Sequence, residues 1–262
     1  MCLIAFAYKS HPTYSFILAA NRDEFYERQS APLAFWNKQK QILAGRDLEQ
    51  GGTWLGLNDQ GLFATVTNYR DGINPESRTL LSRGALTRNF LEQKATAYDY
   101  FSEIEEQKQQ YGGFNLLLGD ALGIYHLSNK GLSSKKLSPG VYGLSNALLN
   151  TPWPKLIRTR EQLSLLLKQP EIDPNALLTV MQNTQQAEDS QLPNTGVSYD
   201  WEKLLSSCFI RAETYGTRAT TLLLQKPCGE TIIIEQNYDE NGLQQRSQYR
   251  LELTPVGLLD NP

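Results

Sequence analysis

The residue most able to do chemistry stands at position two. Cys2 heads the run Cys2-Leu3-Ile4-Ala5-Phe6-Ala7-Tyr8, and cysteine is small enough for the initiator methionine ahead of it to be removed. Removal would place a free α-amine beside the thiol on one residue. That amine has an ordinary pKa of about 7.7–8.0, so near neutral pH it can take the thiol proton, and nucleophile and base become one residue. Taken alone, a cysteine near a terminus is a small buried hydrophobe, so the decision lies with polar residues further along. Asn21-Arg22-Asp23-Glu24 releases several ionisable groups directly after an apolar stretch, a common place for a site and also for a simple turn ion pair. Asn68 continues the apolar row Leu62, Ala64 and Val66, where an amide is costly unless it is bonded. Asn146 follows Leu144-Ser145; for both asparagines the plain alternative is turn capping.

Bulk properties exclude several classes. Of 262 residues, 40% are hydrophobic and 20% charged, and the formal net charge is −3. That is the profile of a globular protein able to bury a full core, with no electrostatic reason to expect nucleic acid. Cys2, Cys208 and Cys228 are too few and too scattered for a disulfide framework and fit a reducing, cytoplasmic setting. His11 and His126 lie in no metal-binding or triad pattern, so neither a metal site nor another cofactor is expected. No stretch approaches the ~20 apolar residues that would span a bilayer.

The elements that must position these residues follow from periodicity. Cys2 to Tyr8 and Tyr14 to Ala20 read as a hairpin of strands apolar on both faces, delivering Asn21 to Glu24 at its end. Residues 27–41 read as irregular. A strand at 41–44 precedes Gly51-Gly52-Thr53-Trp54-Leu55-Gly56-Leu57-Asn58, a glycine-containing turn, and the strand 62–69. Helical spacing follows from Ser82 and again around Ala97, Phe101 and Ile104, then a hairpin over 114–127 that contains His126. Pro154 opens a helix, a short helix covers 175–181, and 182–200 reads as loop. Strands are expected at 209–211, 215–224, 231–236 and 248–253. Strands at both ends with helices grouped between them, and no linker or repeat, predict one domain over 1–262. It is an α+β chain, a layered sandwich of two mainly antiparallel sheets with helices outside.

These residues resemble a known family. Asn21-Arg22-Asp23-Glu24 is the tetrapeptide that names the NRDE, or transport and Golgi organisation 2, family. Met1-Cys2, Gly51-Gly52-Thr53-Trp54-Leu55-Gly56, Thr67-Asn68-Tyr69-Arg70 and Tyr215-Gly216-Thr217-Arg218 look like its other landmarks. More distantly, the chain is similar to N-terminal nucleophile hydrolases of the choloylglycine hydrolase and penicillin V acylase type. That similarity implies a four-layer αββα fold and a mature amino-terminal cysteine nucleophile. Their Gly-x-Asn-x-x-Gly-Leu hairpin is matched by Gly56 to Leu62, and seven residues beyond Gly61 their oxyanion asparagine corresponds to Asn68. Their Arg-Asn-x-Asp differs from Asn-Arg-Asp-Glu here, and their late arginine could be Arg211 or Arg218.

The resemblance implies roles. Cys2 attacks an acyl carbon with its amine as base, Arg22 favours the thiolate, Asp23 holds the ammonium, and Asn68 and Asn146 donate to the oxyanion. Asn21, Glu24, Arg70 and Arg218 are the candidates for substrate contact. The partner would be a small acyl or amide substrate. The competing reading is a non-enzymatic carrier of a hydrophobic ligand such as haem, a lipid or acyl-CoA.

Overall fold

The computed structural model describes residues 2–37, 41–73, 80–93, 95–131 and 135–259. The first sheet runs in the order β10 (Gly140–Leu144), β1 (Cys2–Tyr8), β2 (Phe16–Phe25), β11 (Tyr215–Gln225), β12 (Glu230–Asp239) and β13 (Gly242–Glu252). The second follows chain order: β3 (Ser30–Phe35), β4 (Ile42–Asp47), β5 (Leu55–Asn58), β6 (Phe63–Asn68), β7 (Phe114–Asp120), β8 (Gly123–Ser128) and β9 (Lys135–Lys136). Every pairing between these strands is antiparallel.

Strand alternation builds the layers. Ile4, Phe6, Phe16 and Leu18 of the first sheet pack against Leu43, Leu55, Phe63 and Leu117 of the second, forming the core between sheets. The opposite face of the first sheet, Leu3, Ala5, Ile17 and Ala19, is covered by α3 (Pro154–Leu166) and α4 (Pro174–Met181) through Leu156, Leu163, Leu177 and Met181. The outer face of the second sheet is covered by α1 (Arg83–Glu92) and α2 (Ala97–Gln107) through Leu86, Phe90, Tyr100 and Ile104. The arrangement is helix, sheet, sheet, helix, the α+β αββα sandwich expected from the sequence. It explains why central strands carry no polar face: each is buried on both sides. No helix among the described residues is long and apolar enough to cross a membrane.

The sequence and the structure part company at four elements. β2 does not stop before Asn21 but runs through Asp23 to Phe25, because β11 pairs with it as far as Phe25↔Tyr215. β3 occupies the segment expected to be irregular; its Pro32 falls where the β3–β4 register shifts between Ala31 and Ala34, a bulge that tolerates a missing N–H. A short helix, α5 (Tyr199–Leu204), closes the expected loop, its start capped by the Ser198 side chain accepting from Trp201 N. Around Phe209 to Arg211 only an isolated bridge, Arg211↔Gly216, forms. The Asn58 turn behaves as read: Asn58 Oδ1 accepts from Gln60 N (3.0 Å) and Leu62 N (2.9 Å), and Gly61 takes φ +82°.

Candidate active site

The β1–β2 register places Cys2 opposite Arg22. By alternation both side chains share the face turned toward the second sheet, while Asn21 and Asp23 face the α3–α4 layer. At this end the sheets part around a cleft of about 420 Å³. Cys2, Arg22, Asp23 and Glu24 line it from the first sheet, and Trp54, Val66, Asn68 and the first turn of α1 from the second. That turn comes close because residue 52 is glycine: a Cβ there would lie 2.5 Å from the Gly84 carbonyl carbon, and Thr53 N donates to Gly84 O at 3.1 Å.

Arg22 is buried, its guanidinium carbon 4.5 Å from the Trp54 ring centroid and Nη2 3.8 Å from Glu24 Oε2. The stacking holds the cation beside Cys2. Glu24 also faces Arg28 at 3.8 Å, and Arg28 is tied to Asp47 at 2.7 Å, which fixes the rim. Cys2 is half-buried. Burial pushes its thiol above the usual range, the Asp23 and Glu24 carboxylates add to that, and Arg22 opposes them. Desolvation thus favours the neutral thiol. The Arg22 guanidinium is one opposing influence, outweighed by desolvation.

Asp23 is fully buried, one residue past Cys2's partner at the open end of the β1–β2 pair. Thr217 Oγ1 donates to its Oδ1 at 2.7 Å while accepting from Ile210 N at 2.9 Å. Burial pushes the Asp23 carboxyl up, and the Lys155 ammonium, the Thr217 hydrogen bond and Arg22 pull it back. Ser145 Oγ donates to Cys2 O at 2.9 Å, securing the start of β1 from the end of β10.

The remaining candidates divide. Asn68 is at the cleft wall. Asn146 is fully buried behind it and does not line the cleft; its Nδ2 donates to Asn68 O at 2.8 Å, so it holds the Asn68 backbone. Glu24 is at the wall, but three other candidates for substrate contact are engaged elsewhere. Asn21 Nδ2 donates to Met181 O and Cys208 O, both at 2.8 Å, and its Oδ1 accepts from Thr220 Oγ1 at 2.7 Å. Arg70 pairs with Glu202 at 2.6 Å and lies over the Trp153 ring. Arg218 donates from Nη1 to the carbonyls of Phe25, Tyr26 and Arg28 and from Nε to Tyr238 O, bracing the turn after β2. Arg211 is exposed and outside the cleft lining, so neither late arginine lines it. These side chains were candidates because they sit inside recognisable motifs, and the motifs prove to be partly structural.

Thr217, Ser145 and Lys155 were not anticipated as parts of the site. Thr217 lies inside Tyr215-Gly216-Thr217-Arg218 and Ser145 next to Asn146, so motif membership was an available signal. Lys155 carries none; only the fold brings it behind Asp23. Among the described residues no group of three or more His, Cys, Asp or Glu side chains could hold a metal.

The family model for "Transport and Golgi organisation 2" matches residues 1–240. The chain belongs to the transport and Golgi organisation 2 family. Members similar to it include the mouse homologue, 33% identical over 259 residues covering 90% of this chain and 93% of that one, and the human homologue, 34% identical over 270 residues covering 93% and 95%. The Drosophila melanogaster transport and Golgi organization protein 2 is 26% identical, covering 90% and 92%. Among solved structures, the C2A mutant of conjugated bile acid hydrolase from Clostridium perfringens superposes with a TM-score of 0.49 at 10% identity, covering 96% of this chain and 92% of that chain.

Proposed function

We propose that this transport and Golgi organisation 2 family member is an N-terminal-cysteine hydrolase or acyltransferase acting on a non-peptide amide or related acyl bond. The observation that carries the reading is the cleft shared by Cys2, the stacked Arg22, the buried Asp23 and Asn68. In the reaction, the Cys2 α-amine, freed by removal of Met1, takes the thiol proton, and Sγ bonds to the substrate's acyl carbon. The carbonyl oxygen gains negative charge, which the Asn68 amide receives as a hydrogen-bond donor. Collapse breaks the bond to the leaving group, which takes the proton back from the α-ammonium; water or a second nucleophile then releases the acyl group from sulfur. Asp23 holds the ammonium in both half-reactions. Asn146 supports Asn68 from behind rather than facing the substrate.

The carrier alternative, for haem or a lipid acyl chain, has less support, because charged and polar side chains such as Arg22, Glu24, Arg28 and Arg83 wall the cleft. A cytoplasmic working place accords with three free cysteines. The test has two parts. Intact mass of the purified protein is expected to show loss of Met1, and a thiol-reactive acyl probe is expected to label the wild type but not Cys2→Ala, with both proteins melting within a few degrees of each other. Equal labelling of Cys2→Ala would remove Cys2 from the chemistry, and a retained methionine on fully active protein would leave the mechanism without its amine base.

A further inference from the structure

Lys155 is an anomalous polar group among the described residues. It is 1% exposed, and its Nζ has no hydrogen-bond partner among the described residues. A buried ammonium left without partners is among the costliest groups a fold can hold. Its position adds to that cost: it is the second residue of α3, where the helix dipole disfavours a cation. The same ammonium could reach solvent from an exposed position of α3, so something at this place must offset the burial.

The surroundings identify the offset. The face of β2 that carries Asn21 and Asp23 is turned toward the α3–α4 layer, and Asp23 is fully buried there. The charged and titratable groups acting on Lys155 are Asp23 from β2, Arg70 from the segment after β6, Cys208 from the segment ahead of β11, and Cys2 from β1. Asp23 is the carboxylate among them. Burial lowers the Lys155 ammonium below its usual range, and Asp23 is the first influence to restore it; reciprocally, Lys155 is the first influence restoring the ionised form of Asp23. One carboxylate oxygen is occupied by Thr217.

A carboxylate paired with an α-ammonium alone would raise that amine's pKa and make it a poor base at neutral pH. A second cation buried near the same carboxylate acts in the opposite direction. We propose that Lys155 is a positioning residue whose buried ammonium acts through space, without direct contact, on the Asp23 carboxylate that holds the Cys2 α-amine, and thereby keeps that amine as free base near neutral pH. The inference rests on the reading of Cys2 as an N-terminal nucleophile, and it adds a residue that touches neither substrate nor sulfur.

The experiment uses full-length protein whose Met1 removal is verified by mass, acylated with p-nitrophenyl acetate while nitrophenolate release is followed across pH. Lys155→Met is expected to move the acid limb of the acylation profile upward by about one pH unit, while Lys155→Arg, which keeps the charge, is expected to leave it near the wild-type position. A residue that only supports the fold would change melting temperature and leave the limb where it is, and coincident limbs for wild type and Lys155→Met would overturn the inference. Should Lys155→Met not fold, the wild type labelled with ¹³C-lysine supplies the measurement. The Lys155 Cε resonance is expected to shift at the pH of the acid limb, and a flat resonance there overturns the proposal. Failure of processed wild type to acylate at Cys2 would remove the enzymatic reading and this inference with it, whereas acylation with an unmoved limb removes this inference alone.

Discussion

Thr217 Oγ1 lies 2.7 Å from Asp23 Oδ1, joining the closing strands of the chain to its opening motif across 194 residues. The same hydroxyl accepts from Ile210 N, so one side chain settles both the Asp23 carboxylate and the backbone leading into β11. Thr217→Val keeps the shape and removes the hydroxyl's hydrogen bonds to the Asp23 carboxylate and the Ile210 N–H. The expected cost is about 1–3 kcal/mol per lost hydrogen bond, with loss of acylation at Cys2. Thr217→Ser is expected to stay close to wild type in both urea denaturation and acylation rate; equal damage from the two substitutions would contradict a role for the hydroxyl.

Asn68 and Asn146 are expected to separate. Asn68→Ala removes the donor at the cleft wall and should cut the acylation rate by about 10²–10³. Asn146→Ala removes the hydrogen bond to Asn68 O and should show mainly as a stability loss of about 1–3 kcal/mol, with a smaller effect on rate. Single-turnover acylation and urea midpoints on both variants decide it. A larger rate loss for Asn146→Ala would place Asn146, not Asn68, at the oxyanion.

Gly52→Ala tests how α1 reaches the cleft. Its methyl group would meet the Gly84 backbone at 2.5 Å, and backbone cannot swing aside as a flexible side chain does. The expected loss is about 1–3 kcal/mol from overpacking, together with slower acylation as the helix start moves out from the wall. Unchanged denaturation would mean that the close approach is not needed.

Glu235 gives the fold a pH dependence. It is buried in β12 between the sheets, where its Oε1 accepts from Leu33 N of β3 (2.7 Å) and its Oε2 from Thr221 Oγ1 (3.0 Å). Burial pushes its carboxyl above the usual range despite those hydrogen bonds. The folded protein thus holds this proton more tightly than the unfolded chain. The associated stability is fully present below the unfolded carboxyl value of about 4.3 and is lost as pH rises through the higher folded value. Glu235→Gln, which cannot ionise, is expected to flatten that decline. Urea midpoints measured stepwise upward from pH 4 check it, and parallel curves for the two proteins would refute it.

The residues that announce themselves in the sequence do so because their environment is local. Alternation in β1 and the first half of β2 reports burial on both faces, and the Asn58–Gly61 turn reports its own hydrogen bonds. β3 was invisible because tertiary contacts stabilise it: a buried Leu33 whose N–H is met by Glu235, and a bulge that absorbs Pro32. The Asn-Arg-Asp-Glu motif was legible as a cluster but not as four different jobs. Strand alternation sends Arg22 toward the cleft and Asn21 and Asp23 toward the helices, and only the partners across space show that Asn21 buckles α4 to the segment ahead of β11. Lys155 could not have been singled out at all, since nothing near it in sequence distinguishes it from a surface lysine.

The cleft draws one wall from each sheet, so the span between sulfur and the Asn68 amide is a property of how the two sheets are stacked. That stacking is set well away, where Phe16 of one sheet meets Phe63 of the other edge-on at 5.1 Å. Trimming either ring would let the halves of the sandwich settle closer or slide. Changes deep in the apolar filling, touching no polar atom, would therefore detune the chemistry from a distance.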